Sequence, residues 1–225
     1  WLQYEVTEEL RQKLDNKLIL AAEMFETDNQ LALNEYLNGT IPEDKFEKDS
    51  RLWSNYATDY RPLVRIAKKN NLPFVASNVP RRYASLVYAK GFEALNDLSS
   101  EAKLLLPPLP IPYDSTLECY SSLASNPMMG HANPNLPKAQ ALKDATMAYN
   151  INKAFSKDST IIHYNGAYHS NSFQSIYWYL HHYNPHLKII TITMVEADDI
   201  SKLKEESHGL ANFIFAIDGN MTKTY

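Results

Sequence analysis

Hydrophobic residues recur at helical spacing along much of the chain. Leu2, Val6, Leu10 and Leu14 predict an amphipathic helix over residues 2–15. Comparable patterns predict helices over 28–37, 53–70, 80–90, 136–155 and 171–183. Residues 41–51 are charged and are expected to form a mobile connection between two of these helices.

Five short apolar runs alternate with the helices and predict buried strands. They cover residues 17–25, 72–78, 159–166, 188–196 and 211–217. Strands that alternate with helices indicate an α/β fold, with a mostly parallel sheet and helices on both faces. A length of 225 residues is compatible with one core, so we expect a single domain over 1–225.

The segment 97–137 interrupts this alternation. It holds seven of the 12 prolines together with Tyr113, Tyr120, Met128, Met129 and His131. A connection of this length exceeds what two neighbouring elements need. We therefore interpret it as an inserted lid, helical or irregular, that could bind a ligand. A surface excursion without a role is the alternative.

Composition excludes several classes of protein. The formal net charge is −4, whereas a general nucleic-acid binder carries an excess of basic residues. The single cysteine, Cys119, rules out a cysteine-cluster metal site. No apolar run is long enough for a membrane span, and the six glycines include no phosphate-binding loop. Fifteen tyrosines against eight phenylalanines favour interfaces and ligand rims.

Polar residues follow three of the predicted strands. Glu23 comes near the end of the first strand, Asn78 and Arg81 follow the second, and His169 follows the third. If the strands are parallel, these side chains converge on one edge of the sheet, where α/β proteins bind ligands. Glu23 and His169 would then be metal ligands or an acid/base pair. A helix cap, a salt bridge and a satisfied polar histidine are the structural alternatives.

The helix predicted over 136–155 adds two polar residues to this candidate cleft. Gln140 and Asp144 are four residues apart and therefore lie on one face of the helix. They either make polar contacts in the cleft or form a hydrogen-bonded pair where the helix meets the insertion.

An ordered set of motifs resembles the ChaN-like haem-binding uptake family, which is related to the Tiki proteases and the erythromycin esterases. The resemblance covers about residues 1–196. The motifs are Glu23-Met-Phe with Gln30, Trp53-x-x-Tyr56-x-x-x-Tyr60-x-Pro62, Asn78-Val-Pro-Arg81, Ala139-Gln-Ala-Leu-Lys-Asp144-Ala-Thr-Met147-Ala148, and Gly166-Ala-Tyr-His169.

The resemblance implies a haem-binding protein of the bacterial cell envelope that acts in haem or iron uptake. It also implies a homodimer, and a tyrosine oxygen on the iron, which suits ferric haem. Tyr113 and Tyr120 are the candidate ligands, with His131 assisting and Met128 contacting the porphyrin.

The sequence departs from the wider superfamily at its start. Those proteins open with a strand that carries Gly-Glu-x-His, whereas this chain begins at Trp1 directly in a helical pattern. We expect that a preceding segment holds this strand and any export signal or lipid anchor. Such an anchor would provide the membrane association of a periplasm-facing lipoprotein.

Two other functions remain open from the sequence. A metal-dependent hydrolase of the peptidase or esterase type would use Glu23 and His169 with a divalent metal. A structural or docking protein would use the scaffold alone.

Overall fold

The computed structural model describes residues 1–14, 17–125 and 133–221. Its helices are α1 (Leu2–Leu14), α2 (Gln30–Leu37), α3 (Glu43–Asp49), α4 (Arg61–Lys69), α5 (Arg81–Lys90), α6 (Ser100–Lys103), α7 (Glu118–Ser125), α8 (Leu136–Ala154) and α9 (Ile176–Tyr183). Its strands are β1 (Leu18–Glu26), β2 (Phe74–Asn78), β3 (Thr160–Tyr164), β4 (Ile192–Ala197) and β5 (Phe213–Asp218). No helix in these three ranges is long and apolar enough to cross a membrane.

The main sheet has three parallel strands in the order β2–β1–β3. Its central strand, β1, is buried along nearly its whole length, as expected for a parallel strand covered on both faces. The chain places β2 on one side of β1 and then returns to place β3 on the other. The crevice beyond the carboxyl ends of β1 and β3 is therefore the position where such sheets bind ligands.

Two hydrophobic clusters cover the two faces of this sheet. One includes Leu18 and Leu20 of β1 with residues of α2, α3 and α4. The other is formed mainly by α5, α8 and α9. Side chains of a strand alternate between faces, and accordingly Ile161 packs against the second cluster while Ile162 packs against the first. The predicted α/β fold with helices on both faces is thus confirmed.

The single sheet expected from the sequence is in fact two sheets. β4 and β5 pair in parallel only with each other in the described part of the chain. Ile192 lies beside Phe213 and Met194 beside Phe215, and these four side chains are exposed on one face of the pair. Thr193, between Ile192 and Met194 on β4, is buried on the opposite face.

Three predicted helix boundaries were wrong for identifiable reasons. The helix expected over 53–70 is instead a π-turn over Tyr56–Tyr60 followed by α4. Pro62 has no backbone N–H to donate within a helix, so it lies in the first turn of α4, where no such donor is needed. The connection expected over 41–51 contains α3, which the buried ring of Phe46 anchors. The helix expected from 171 begins at 176, because Ser172 and Ser175 have positive φ angles.

The described part of the inserted segment is built into the fold. It contains α6, α7 and irregular chain, and it buries Leu106, Ile111 and Tyr120 in the second hydrophobic cluster. The Thr27 hydroxyl donates a hydrogen bond to the Leu105 carbonyl at 3.1 Å, and this contact ties the segment to the end of β1. Met128, Met129 and His131 lie outside the described residues.

Truncation of Phe46, at the aromatic centre of the first cluster, should strongly lower the free energy of unfolding. Phe46 is fully buried and its ring stacks on Tyr36 at 5.0 Å, with Phe25 at 6.1 Å. Phe46→Ala should lower the free energy of unfolding by about 3–5 kcal/mol. Urea denaturation followed by circular dichroism measures this change. Leu31→Ala, at a position 69% exposed on α2, is the control and should change it by less than about 0.5 kcal/mol.

Candidate functional site

A buried ionic network lies at the carboxyl edge of the main sheet, between β1 and β3. Its centre is His169, in a short 3-10 turn after β3. His169 Nε2 donates to Glu23 Oε1 at 3.1 Å, and Nδ1 donates to Asp144 Oδ1 at 2.5 Å. The second Asp144 oxygen accepts a hydrogen bond from the Tyr120 hydroxyl at 2.7 Å. One chain of contacts therefore joins β1, the turn after β3, α8 and α7.

The Gly166 N–H and the Asn78 side-chain amide hold the Glu23 end of this network in place, and Gln140 lies against the His169 ring. The Gly166 N–H donates to Glu23 Oε2 at 2.9 Å, so both carboxylate oxygens of Glu23 are engaged. The Gln140 side-chain amide lies 3.1 Å from Nε2 of His169 and 3.2 Å from Nδ1. Asn78 donates from its side chain to the Glu23 carbonyl at 3.0 Å. The strand-exit residues Glu23, Asn78 and His169 thus share one edge, and both α8 residues reach it.

Arg81 does not join this network. Its side chain is 74% exposed and its nearest carboxylate is Glu26, at 3.9 Å. Glu26 is already paired with Arg51, which donates two hydrogen bonds to it at 3.2 and 3.0 Å. Arg81 therefore belongs to an outer ion-pair cluster at the end of β2 and does not line the His169 site.

The electrostatics of the network favour a charged histidine. Burial opposes the charge on His169, but the carboxylates of Asp144 and Glu23 outweigh it and raise its pKa to about 10. Burial also works against the Glu23 carboxylate, yet the His169 ion pair and the Gly166 N–H lower its pKa below the usual range. Complete burial raises the pKa of Asp144 despite its two hydrogen-bond donors. His169 is therefore an imidazolium held between two carboxylates.

A second histidine nearby, His163, is neutral. His163, on β3, lies 2.9 Å from the Ser77 hydroxyl and 3.0 Å from the Asn165 side-chain oxygen. Burial lowers its pKa to about 4, because a hydroxyl and an amide oxygen do not compensate the lost hydration of a charged ring. This residue was not predicted from the sequence, since a polar side chain inside an apolar strand gives no sign of its partners.

The arrangement does not support the divalent-metal hypothesis. A metal ligand or general base needs a free nitrogen lone pair, and both ring nitrogens of His169 donate to carboxylates. Within the described ranges, no group of three or more His, Cys, Asp or Glu side chains is placed to hold a metal ion. The proposed use of Glu23 and His169 by a metal-dependent hydrolase therefore finds no support. The pair acts as an internal ion pair.

The two candidate haem ligands have different environments. Tyr120 is fully buried, and its hydroxyl is committed to Asp144. Tyr113 is partly buried, and its ring lies 5.6 Å from that of Phe92 and 5.5 Å from that of Tyr120. Their role in haem binding stays a prediction. In this conformation the Tyr120 oxygen is closed to any ligand.

A groove of about 350 Å³ lies where the inserted segment meets α8. The inserted segment lines it with apolar side chains, which are Leu104, Leu106, Pro107, Pro108 and Leu109. The other side carries Tyr149 and Lys153 of α8, and Lys103 lies at the rim. This groove was not predicted from the sequence, although the four-residue spacing of Tyr149 and Lys153 on one helix face was a usable signal.

Residues 1–180 match the family model described as haem-binding uptake, Tiki superfamily, ChaN, and the chain therefore belongs to this family. No curated protein matches it.

A solved structure with the same fold is described as "Cofacial heme binding to ChaN of Campylobacter jejuni". The TM-score is 0.61 at 17% sequence identity, and the match covers 85% of this chain and 73% of the other. At this identity the similarity shows the shared fold. The resemblance inferred from the ordered motifs is confirmed by both comparisons.

The charge state of His169 predicts a pH dependence of stability. Its folded pKa of about 10 lies above the unfolded value of about 6.5, so its stabilisation is complete below pH 6.5 and is lost as the pH rises towards 10. His169→Gln should remove this dependence. It should also cost about 3–5 kcal/mol, because two buried carboxylates lose their counter-charge.

Urea denaturation from pH 6 to about pH 10 checks this prediction. His186→Gln, which changes an exposed histidine, is the matched control and should follow the wild type. Equal slopes for wild type and His169→Gln above pH 6.5 would contradict the assignment.

Proposed function

We propose that this protein binds haem and takes part in haem uptake at the bacterial cell envelope. The observation that carries the proposal is the family match over residues 1–180, whose description is haem-binding uptake. The solved ChaN structure of the same fold is described as showing cofacial haem binding, and this supports haem as the ligand.

The fold is compatible with a ligand-binding role in which the sheet supplies a rigid frame. The ionic network fixes α7 and α8 against the ends of β1 and β3 through Tyr120, Asp144 and His169. The described part of the inserted segment, which bears Tyr113 and Tyr120, is thereby tied to the edge of the sheet. Rigid placement limits the entropy lost when a planar ligand binds.

Haem binding has a direct test. Addition of ferric haemin to the purified chain should shift and sharpen the Soret band, and the titration should saturate at a defined stoichiometry. Haemin in buffer without protein and haemin with a denatured sample of the same chain are the controls. A titration that leaves only the spectrum of free haemin would overturn the proposed function.

We further propose that haem binding is coupled to homodimer formation. The description of the ChaN structure as showing cofacial haem binding supports this proposal, because two haem groups that face each other can be contributed by two subunits. Light scattering after size exclusion should show monomer without haemin and about twice that mass with one haemin per chain. An unchanged mass at full haem occupancy would contradict this coupling.

Cell-envelope placement is tested separately on the full-length gene product. Fractionation of the producing bacterium, with globomycin treatment to block lipoprotein processing, should find the protein with the membranes and show its precursor accumulating. A protein found in the cytosolic fraction would contradict the placement without affecting haem binding.

A further inference from the structure

The strand β4 has a partner on one side only. Within the described residues it pairs with β5 alone, and it lies beyond residue 180, where the family match ends. An unpaired strand edge is a template for another strand. We propose that two copies of this chain join along this edge, β4 against β4, in antiparallel register around a two-fold axis at Ile192. The two β4–β5 pairs then form one four-stranded sheet.

The backbone of β4 directs alternate residues towards opposite edges. The Phe213 N–H donates to the Thr191 carbonyl at 3.1 Å. The Gly219 N–H donates to the Ala197 carbonyl at 3.3 Å. Odd-numbered residues of this stretch therefore face β5, and the N–H and C=O groups of Ile192 point to the other edge. Across a two-fold axis, the two Ile192 residues form a hydrogen-bonded antiparallel pair.

The stretch from Lys188 to Glu196 is complementary to itself in the antiparallel direction. Its even-numbered side chains are exposed and alternate with buried or half-buried ones. With Ile192 at the axis, Ile190 lies opposite Met194 of the second copy. Lys188 lies opposite Glu196 of the second copy. Every pair on this face thus joins two apolar side chains or two opposite charges, and such pairs stabilise a sheet.

The other face of the strand agrees with the same register. Thr191 lies opposite Thr193 of the second copy, and threonine pairs form hydrogen bonds across strands. Ile189 lies opposite Val195 of the second copy, which adds an apolar pair. One register therefore satisfies both faces of the strand.

The charged ends select this register over its neighbours. Lys188 is exposed, so its ammonium group can reach a second chain. Glu196 already interacts within its own chain, but a carboxylate accepts several hydrogen bonds and can also accept from a lysine. A shift by two residues would place Ile190 opposite Glu196 and set a charge against an apolar side chain.

Pairing also covers apolar surface. Ile190, Ile192 and Met194 are 68%, 46% and 40% exposed, and directly opposite side chains of an antiparallel pair contact each other. Two strand edges form a small interface, so the association is weak and depends on protein concentration. It needs no ligand, and it is therefore separate from the haem-coupled contact proposed above.

Light scattering without haemin is the first test. The wild type should be monomeric at about 1 µM and approach twice that mass at about 200 µM. Ile192→Lys should stay monomeric at both concentrations, because it sets two ammonium groups against each other at the axis. Phe213→Lys, at a position 56% exposed on β5, is the matched control and should behave as the wild type. Circular dichroism and thermal unfolding establish that the variants are folded.

Disulfide cross-linking tests the position of the axis. In a Cys119→Ser background, Ile192→Cys should give a linked dimer under mild oxidation, because the Cα atoms of a hydrogen-bonded antiparallel pair lie about 5.5 Å apart. Phe213→Cys should give none, because the two β4 strands separate the β5 strands by about 14 Å. A cross-link at Phe213 without one at Ile192 would show that the apolar face is the interface, and would overturn the edge pairing.

Charge reversal tests the register. Lys188→Glu should weaken the dimer about fivefold, because exposed ion pairs contribute modestly and the symmetry breaks two of them at once. The double variant Lys188→Glu/Glu196→Lys should restore the wild-type association. A double variant that associates no better than Lys188→Glu would overturn the register.

The proposal as a whole has a clear negative outcome. A chain that is monomeric at about 200 µM and gives no cross-link at Ile192 overturns it. The haemin titration measures a different property, so the pairing of β4 and the binding of haem can each fail without the other.

Discussion

The imidazolium of His169, held between the carboxylates of Glu23 and Asp144, is the interaction on which the arrangement of this protein depends. It joins the central strand, the turn after β3 and the longest helix of the described residues at one buried point. Two buried carboxylates without a counter-charge would repel each other in a medium of low polarity. The raised pKa of His169 places a positive charge between the two carboxylates at the point where these three elements meet.

The strand order explains why this point is central to the molecule. β1 lies between β2 and β3, so its end is enclosed by the helices of both faces. Tyr120 extends the network into the inserted segment, and the Thr27 contact with Leu105 adds a second tie to the same segment. The groove beside Tyr149 lies between this segment and α8.

Much of the scaffold could be predicted because local patterns determine it. Parallel strands buried on both faces are recognisable as short apolar runs, and the convergence of Glu23, Asn78 and His169 follows from their parallel direction. The sequence did not predict that β4 and β5 form a sheet of their own, because strand pairing depends on contacts between distant segments. The ordered motifs were sufficient to identify the family.

The sequence did not predict whether Glu23 and His169 form a metal site or an ion pair. A histidine that a parallel sheet brings close to a glutamate is equally compatible with a metal site and an ion pair. Asp144 decides between these two kinds of site, because its oxygen accepts a hydrogen bond from the second ring nitrogen of His169. That contact depends on the rotation of α8 against the sheet, which no spacing within α8 reveals. The same holds for Tyr120, which was predicted to face a ligand although its hydroxyl is buried against Asp144.

The opposite protonation of the two histidines near β3 has a consequence for the conditions in which the protein can work. His163 stays neutral above about pH 4, and His169 stays charged below about pH 10. Across the whole interval between these values, neither ring gains or loses a proton. The folded protein therefore carries one neutral and one charged ring throughout this interval, while the stabilisation that the charged ring provides is lost as the pH rises from about 6.5 towards 10.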